Sequence, residues 1–381
     1  MDPSEPQIID IRSSDVCPLD KLDVSIIDGL TRPHGQKTLP SLLLWDEKGQ
    51  ELYSDILTTH EYYPYRVEHE LIQERVGEMA GAIALCGTDL LVELGAGNMT
   101  KTAQLLSHLD GHLSAPITYY ALDVDRAQME SSLAQLAAGT QLRWIRLCGL
   151  LGTYDDGAKF FAQPAMAAFR RSLVWMGSSI TNCGQPGASR LLESFAQDPD
   201  NGTPQNLAGF LLLVDGCQDA GRIETAYDVP NGSTRRWMLH AIDAARHHLG
   251  GSGGDGDHSD VDRLLAAENW RFEGQWYPEQ QRYVTSLVPT RDMVGVIQGR
   301  HICLEQGERV ELLETGKWTE KTIASVASAP GLEVRKAWHH DEVKYGAYWL
   351  QPMIRRHDSG IDMMEMSEAP VKRTSRGVLD L

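Results

Sequence analysis

The chain has 381 residues, 42% hydrophobic and 23% charged, with a formal net charge of -18. This suits one large globular domain with a smaller lobe. The acidic balance, with no dense run of Lys or Arg, repels phosphate backbones and argues against a nucleic-acid partner.

The acidic first residues lead into no hydrophobic signal core, and no apolar run approaches the roughly 20 residues that cross a bilayer. The sequence therefore reads as cytoplasmic, with no membrane partner, and as a monomer or homodimer. Its six cysteines, at 17, 86, 148, 183, 217 and 303, are scattered, and none sits at CxxC spacing. They read as buried free thiols, not as a zinc ribbon or a redox pair.

Residues 1–66 show little strand pattern and read as a helical cap. A helix is expected over 67–85 from its amphipathic spacing. Short apolar runs then alternate with helical stretches. Strands are expected at 90–94, 117–124, 142–148, 172–176 and 209–215, and helices at 99–109 and 127–138. Continuous apolar strands separated by helices predict a parallel sheet covered on both faces. Residues 218–316 break the rhythm and read as an inserted lobe. It has a helix at 233–249, a glycine-rich loop at 250–257 and strand-like segments at 282–288, 294–298 and 309–313. A helix at 319–328 and a reversed strand pair near 334–353 return to the main sheet. Residues 355–381 are polar and aperiodic, and read as disordered. The expected organisation is a cap at 1–66 belonging to the second lobe, a Rossmann-like α/β domain at 67–217 resumed at 317–354, and a smaller α+β substrate lobe at 218–316.

In an open α/β sheet, ligands bind beyond the carboxyl ends of the strands. The first of these strands runs into Gly95-Ala-Gly97-Asn98, where the glycines let the backbone approach a ligand. A tight turn with no ligand explains that motif alone nearly as well. The second strand ends in Asp123, placed to hold both hydroxyls of a ribose, while Asp125 reads as a helix N-cap. NAD and S-adenosylmethionine (SAM) both call for this pair of features. The short glycine motif and the reversed strand pair favour SAM. Metal binding is not expected, because the adjacent histidines at 247–248 and 339–340 point apart. Asp155 and Asp156 read as a solvated loop or a helix start.

Several segments carry a resemblance. They are Ile8–Arg12, Lys37–Leu43, Glu61–Pro64, Ile117–Asp123, Gly152–Gly157, Gly177–Asn182 and Ala226–Asp228, spread over most of residues 8–353. In these the chain resembles the amino-acid Nα-methyltransferases that include the ergothioneine-pathway histidine enzymes. The resemblance is nearest to the fungal branch acting on tryptophan and on 4-dimethylallyltryptophan in alkaloid biosynthesis. It implies a Rossmann-like SAM domain with a second lobe and methylation of the α-amino group of an aromatic amino acid. It also implies that Glu93, Gly95, Gly97, Lys101, Asp123, Thr153, Tyr154 and Gly177 bind the cofactor. The histidine enzymes have Gly-Asp-Phe where this chain has Gly152-Thr153-Tyr154. Tyr62, Asn182 and Tyr227 are the implied catalytic set, with Asn182 and Tyr227 on the amino-acid carboxylate and Tyr62 orienting the amine. Outside the resemblance, the two tyrosines read as lobe-interface aromatics and Asn182 as a helix cap. The implied substrate pocket adds Trp45, Thr285, Leu313 and Thr315.

Histidine enzymes have a tyrosine where Trp45 stands and an acidic imidazole contact where Leu313 stands. Losing that carboxylate favours an indole or other apolar ring. A one-residue shift would put Glu314 there and return histidine as substrate. The fungal ergothioneine enzymes carry a further sulfoxide-synthase module, for which this chain is too short, and that lowers the histidine reading. A non-catalytic SAM-binding protein and an NAD-dependent oxidoreductase are the competing classes.

Overall fold

The computed structural model describes residues 6–13, 22–198, 202, 204–250 and 260–353. Cys17, nearly all of the glycine-rich loop and the tail at 355–381 lie outside the described residues. In chain order the strands of the main sheet are β1 (Gln7–Asp10), β2 (Leu90–Leu94), β3 (Ile117–Asp123), β4 (Ile145–Leu151), β5 (Arg171–Trp175) and β6 (Leu207–Asp215). Those of the smaller lobe follow as β7 (Trp270–Tyr277), β8 (Arg282–Pro289), β9 (Met293–Ile297), β10 (Arg300–Leu304) and β11 (Val310–Gly316). The chain then returns with β12 (Leu332–His339) and β13 (Tyr345–Pro352).

The main sheet has the order β1-β4-β3-β2-β5-β6-β13-β12. Strands β1 to β6 pair in parallel, and β13 runs antiparallel to both β6 and β12. The expected reversed pair is therefore β12 and β13. Alternate residues of each strand feed opposite faces, as the period of two requires. Leu91, Tyr119, Ala121, Val174, Leu211 and Leu213 pack under helices Tyr63–Leu85 and Thr100–His112. Leu90, Val92, Leu94, Leu122, Leu173 and Leu212 pack under helices Tyr154–Ala162, Gly184–Ala196 and Glu320–Ser328. Both faces are covered, so the central strands β2, β5 and β6 are buried along their whole length.

The smaller lobe has its own core. Leu22, Ile26, Leu30, Leu43, Leu44 and Ile56 from the N-terminal segment pack on Trp237, Met238, Ile242, Leu287 and Leu312. Its sheets are β11-β8-β7 and the hairpin β9-β10.

Several expectations need correcting. Residues 7–10 are not part of the cap: β1 pairs with β4 and forms an edge of the main sheet. Four residues are too short for a periodic signal, and pairing with a distant strand decides the matter. Past the break read at 218, Ile223, Ala226 and Tyr227 still pack in the same cluster as the main sheet. Strand β4 begins at Ile145, three residues later than read. Among the cysteines, Cys148 and Cys217 are buried and free, whereas Cys183 and Cys303 are exposed. Among the described residues, no group of three or more His, Cys, Asp and Glu side chains could hold a metal ion, and no helix is long and apolar enough to cross a membrane.

Candidate active site

The carboxyl ends of β2 to β5 form one end of the site. After β2 the chain turns through Gly95 and Gly97, both at positive φ (69° and 54°). A Cβ at Gly95 would lie 2.8 Å from the Tyr154 hydroxyl, so only glycine fits. Nothing stands within 4 Å of the Cβ position of Gly97, which leaves open space above the turn. Asp123 closes β3. Its carboxylate accepts from the backbone N–H of Gly97 at 3.3 Å and of Val124 at 2.7 Å. Burial raises its pKa, against these bonds. Asp125 caps the next helix by accepting from Gln128 N at 3.0 Å, as read.

At the end of β4, Thr153 and Asp156 form a reciprocal capping box on helix Tyr154–Ala162. The acid at 156 is thus a helix start. Burial works against its charge, but bonds from Ser13 and Thr153 hold its carboxyl down at about 2. Thr153 was expected at the cofactor, yet its hydroxyl is committed to this cap. Tyr154 packs on Trp175 with ring centroids 4.8 Å apart.

Gly177, at φ 84°, donates its N–H to Glu68, whose other oxygen pairs with Lys101 Nζ at 2.6 Å. Glu68 is buried in helix Tyr63–Leu85 and so ties the loop after β5 to the helix after β2. Glu93 lies below the turn, in β2. It is buried, accepts from Thr102 at 2.8 Å and from Tyr119 at 2.5 Å, and burial raises its pKa to about 7.

Where the two lobes meet lies a cavity lined by the smaller lobe and, from the strand ends just described, by Gly177 and the loop that follows it. The structure brings Trp45, Tyr62, Gly177, Asn182, Tyr227, Leu313 and Thr315 together around it. Thr285 is not among them. It is buried in β8 and paired in register with Leu313.

Aromatic rings make much of the lining. Trp45 meets Tyr53 and Trp237 edge-on at 5.1 and 5.4 Å, and Tyr62 meets Tyr227 at 5.7 Å. The hydroxyls of Tyr53 and Tyr62 are 3.2 Å apart. Burial pushes Tyr62 well above the usual phenol range, so it stays protonated. Two buried polar atoms of the wall, Asn182 Oδ1 and Thr234 Oγ1, have no hydrogen-bond partner among the described residues. An unsatisfied buried polar atom costs about 1–3 kcal/mol, which a polar ligand would relieve.

Strand β11 supplies the remaining wall with period two: Leu313, Thr315 and then Lys317, just past its end, all line the cavity. Glu314 faces the other way and binds Arg282 at 2.7 Å. Lys317, wholly buried, donates to Asp215 Oδ2 at 2.6 Å and to the Tyr227 hydroxyl at 2.7 Å. The Tyr63 hydroxyl donates to the same Asp215 oxygen at 2.7 Å. Sequence reasoning missed Tyr53, Glu68, Asp215, Trp237 and Lys317 as members of the site. Two signals were available: the strand alternation that runs from Leu313 to Lys317, and the position of Asp215 at the carboxyl end of β6.

The comparisons with known proteins agree with this geometry. The family described as "Histidine-specific methyltransferase, SAM-dependent" matches residues 22–352. The chain is 33% identical over 343 residues to "N-methyltransferase imqF" of Aspergillus flavus, covering 89% of this chain and 87% of that one. It is 31% identical over 372 residues to "N-methyltransferase benX" of Aspergillus terreus, covering 96% and 97%. It is 26% identical over 361 residues to "4-dimethylallyltryptophan N-methyltransferase easF" of Claviceps fusiformis, covering 93% and 98%. Since the family match runs from the first helix of the smaller lobe to the last strand of the main sheet, both halves of the cavity lie within it: the chain belongs to the SAM-dependent, histidine-specific methyltransferase family and is a SAM-dependent N-methyltransferase.

Proposed function

We propose that the protein methylates the α-amino nitrogen of a free aromatic amino acid, tryptophan or a prenylated tryptophan such as 4-dimethylallyltryptophan. The observation that carries this reading is the side-chain end of the cavity. It is lined by Trp45, Tyr53, Trp237 and Leu313, with no carboxylate lining it among the described residues. An imidazole would leave its N–H without a charged acceptor there, whereas an indole buries its ring against rings. The name of the Claviceps relative points the same way.

SAM, when bound, supplies an electrophilic methyl group. The residues present fit it: Gly95 and Gly97 leave the backbone open, Asp123 offers acceptor oxygens for ribose hydroxyls, and Tyr154 and Gly177 flank the same strand ends. Lys101, paired with Glu68, would steady the carboxylate end of the cofactor. Glu93 and Thr153 act indirectly, by fixing the helices that follow β2 and β4.

At the other end, Asn182 and Tyr227 fix the amino-acid carboxylate, and Tyr62 offers its oxygen to the amine. Tyr62 is protonated and so orients the nitrogen without serving as the base. The amine must reach the site neutral, so its lone pair is free. Most of the rate then comes from holding the nitrogen in line and dry. The same reading assigns cofactor binding chiefly to residues 67–217 and 317–354, substrate binding chiefly to 22–66 and 228–316, and the protein to the cytoplasm.

The test is mass spectrometry of products from a mixture of amino acids with SAM. Methylated tryptophan or a prenylated tryptophan is expected. Methylated histidine alone would overturn the choice of ring.

A further inference from the structure

We propose that Lys317 is a positioning residue that turns Tyr227 into a carboxylate donor, so that the cavity selects free amino acids over the corresponding decarboxylated amines. This rests on the amino-acid reading above and adds a residue and a selection rule to it.

Lys317 has no accessible surface, so it acts through a neighbour. That neighbour is Tyr227, which faces the cavity and receives a hydrogen bond from Lys317 Nζ at 2.7 Å. The phenol oxygen is therefore already accepting, and its own proton must point elsewhere. A phenol held this way is suited to donate to an anion. It is poorly suited to accept from an ammonium group, because a cation already sits on its oxygen.

The buried pair is also oriented. Lys317 belongs to the cavity wall and Asp215 does not. The positive end of the pair thus lies on the cavity side, behind the Tyr227 hydroxyl. Asp215 is held behind it by the Tyr63 hydroxyl and by the N–H of Cys217 at 2.9 Å. Burial opposes the charge on Lys317, but Asp215 and Tyr227 together outweigh it, so the ammonium persists. A wholly buried ion pair is weak as a stability device, since desolvation offsets its attraction. Its consequence here is directional: it aims one hydroxyl at one end of the ligand.

The experiment compares matched pairs: tryptophan with tryptamine, phenylalanine with phenethylamine, and histidine with histamine. Turnover is measured with SAM, and binding by calorimetry with S-adenosylhomocysteine present. The wild type is expected to favour the acid of its preferred pair by about 100-fold or more in kcat/KM, the scale of charge-assisted hydrogen bonds. Lys317→Met should narrow that ratio at least about tenfold, mainly through KM, with cofactor affinity changed less than about twofold. Because Lys317→Met strands Asp215, the double variant Asp215→Asn/Lys317→Met removes both charges together. Tyr227→Phe removes the phenol and keeps the pair. All three should narrow the ratio alike.

Equal turnover of acid and amine by the wild type overturns the proposal, as does any folded variant of the three that keeps the full ratio. Preference for histidine over both aromatic acids, with its amine rejected, would sink the ring assignment and leave the carboxylate inference standing. If no member of any pair is bound or methylated, both fall.

Discussion

Leu313 and Glu314 are neighbours in β11, yet Leu313 lines the cavity while the Glu314 carboxylate lies 2.7 Å from Arg282 on the other side. One residue of register separates an apolar pocket from an acidic one, since adjacent strand residues face opposite ways. Among the described residues, the acid that an imidazole would need is present in the strand and absent from the cavity lining.

Leu313→Glu should therefore restore an acceptor at the side-chain end. The expected outcome is at least a tenfold shift of the histidine-to-tryptophan ratio in kcat/KM toward histidine, from a charge-assisted bond of about 1.5–3 kcal/mol. Competition of the two amino acids in one reaction measures it. An unchanged ratio means that Leu313 does not face the ring.

Asn182→Ala should raise the KM for the amino acid by about ten- to 100-fold, through loss of a hydrogen bond to a charged group. Cofactor affinity should change less than about twofold, since Asn182 lies at the amino-acid end of the cavity. Turnover at wild-type levels with unaltered KM would remove Asn182 from the clamp.

Asp123→Ala should weaken SAM by about tenfold or more, because the bonds to ribose hydroxyls are charge-assisted. Calorimetric titration with SAM checks this. Asp123→Asn, which keeps an acceptor oxygen but loses the charge, should fall between the two. A variant that binds SAM normally shows that the ribose is held elsewhere.

Glu93 gives a pH signature in stability. Burial raises its carboxyl from 4.5 to about 7, so the folded protein holds a proton that the unfolded chain releases near pH 4.5. The associated stability is complete below pH 4.5 and is lost as the pH climbs through 7. The loss is at most about 3 kcal/mol at 1.36 kcal/mol per unit. Glu93→Gln cannot ionise, and its Tm should fall less than that of the wild type between pH 5 and 8. Thermal melts giving parallel curves would mean that Glu93 is already ionised at pH 5.

Much of the fold was readable from the residues alone. Continuous apolar runs at β2, β3, β5 and β6 read as strands covered on both faces, and the glycines at 95 and 97 and the acid at 123 fall at their carboxyl ends. β1 was not readable, because four residues carry no period and only pairing with β4 makes them a strand. Thr285, read as a pocket residue, sits in register with Leu313 and is buried, while Leu313 lines the cavity.

The sequence by itself determined most of the sheet, the glycine turn after β2 and seven of the 17 wall residues, because local periodicity and strand-end chemistry act over a few residues. Only the tertiary structure decided that Lys317 and Asp215, 102 positions apart, meet as a buried pair behind Tyr227. The same holds for Glu68, which reaches both Lys101 and the loop at Gly177. A charged residue in an apolar segment looks like a surface residue until its partner arrives from a distant strand. Burial and pairing are properties of the packed whole, and no local pattern carries them.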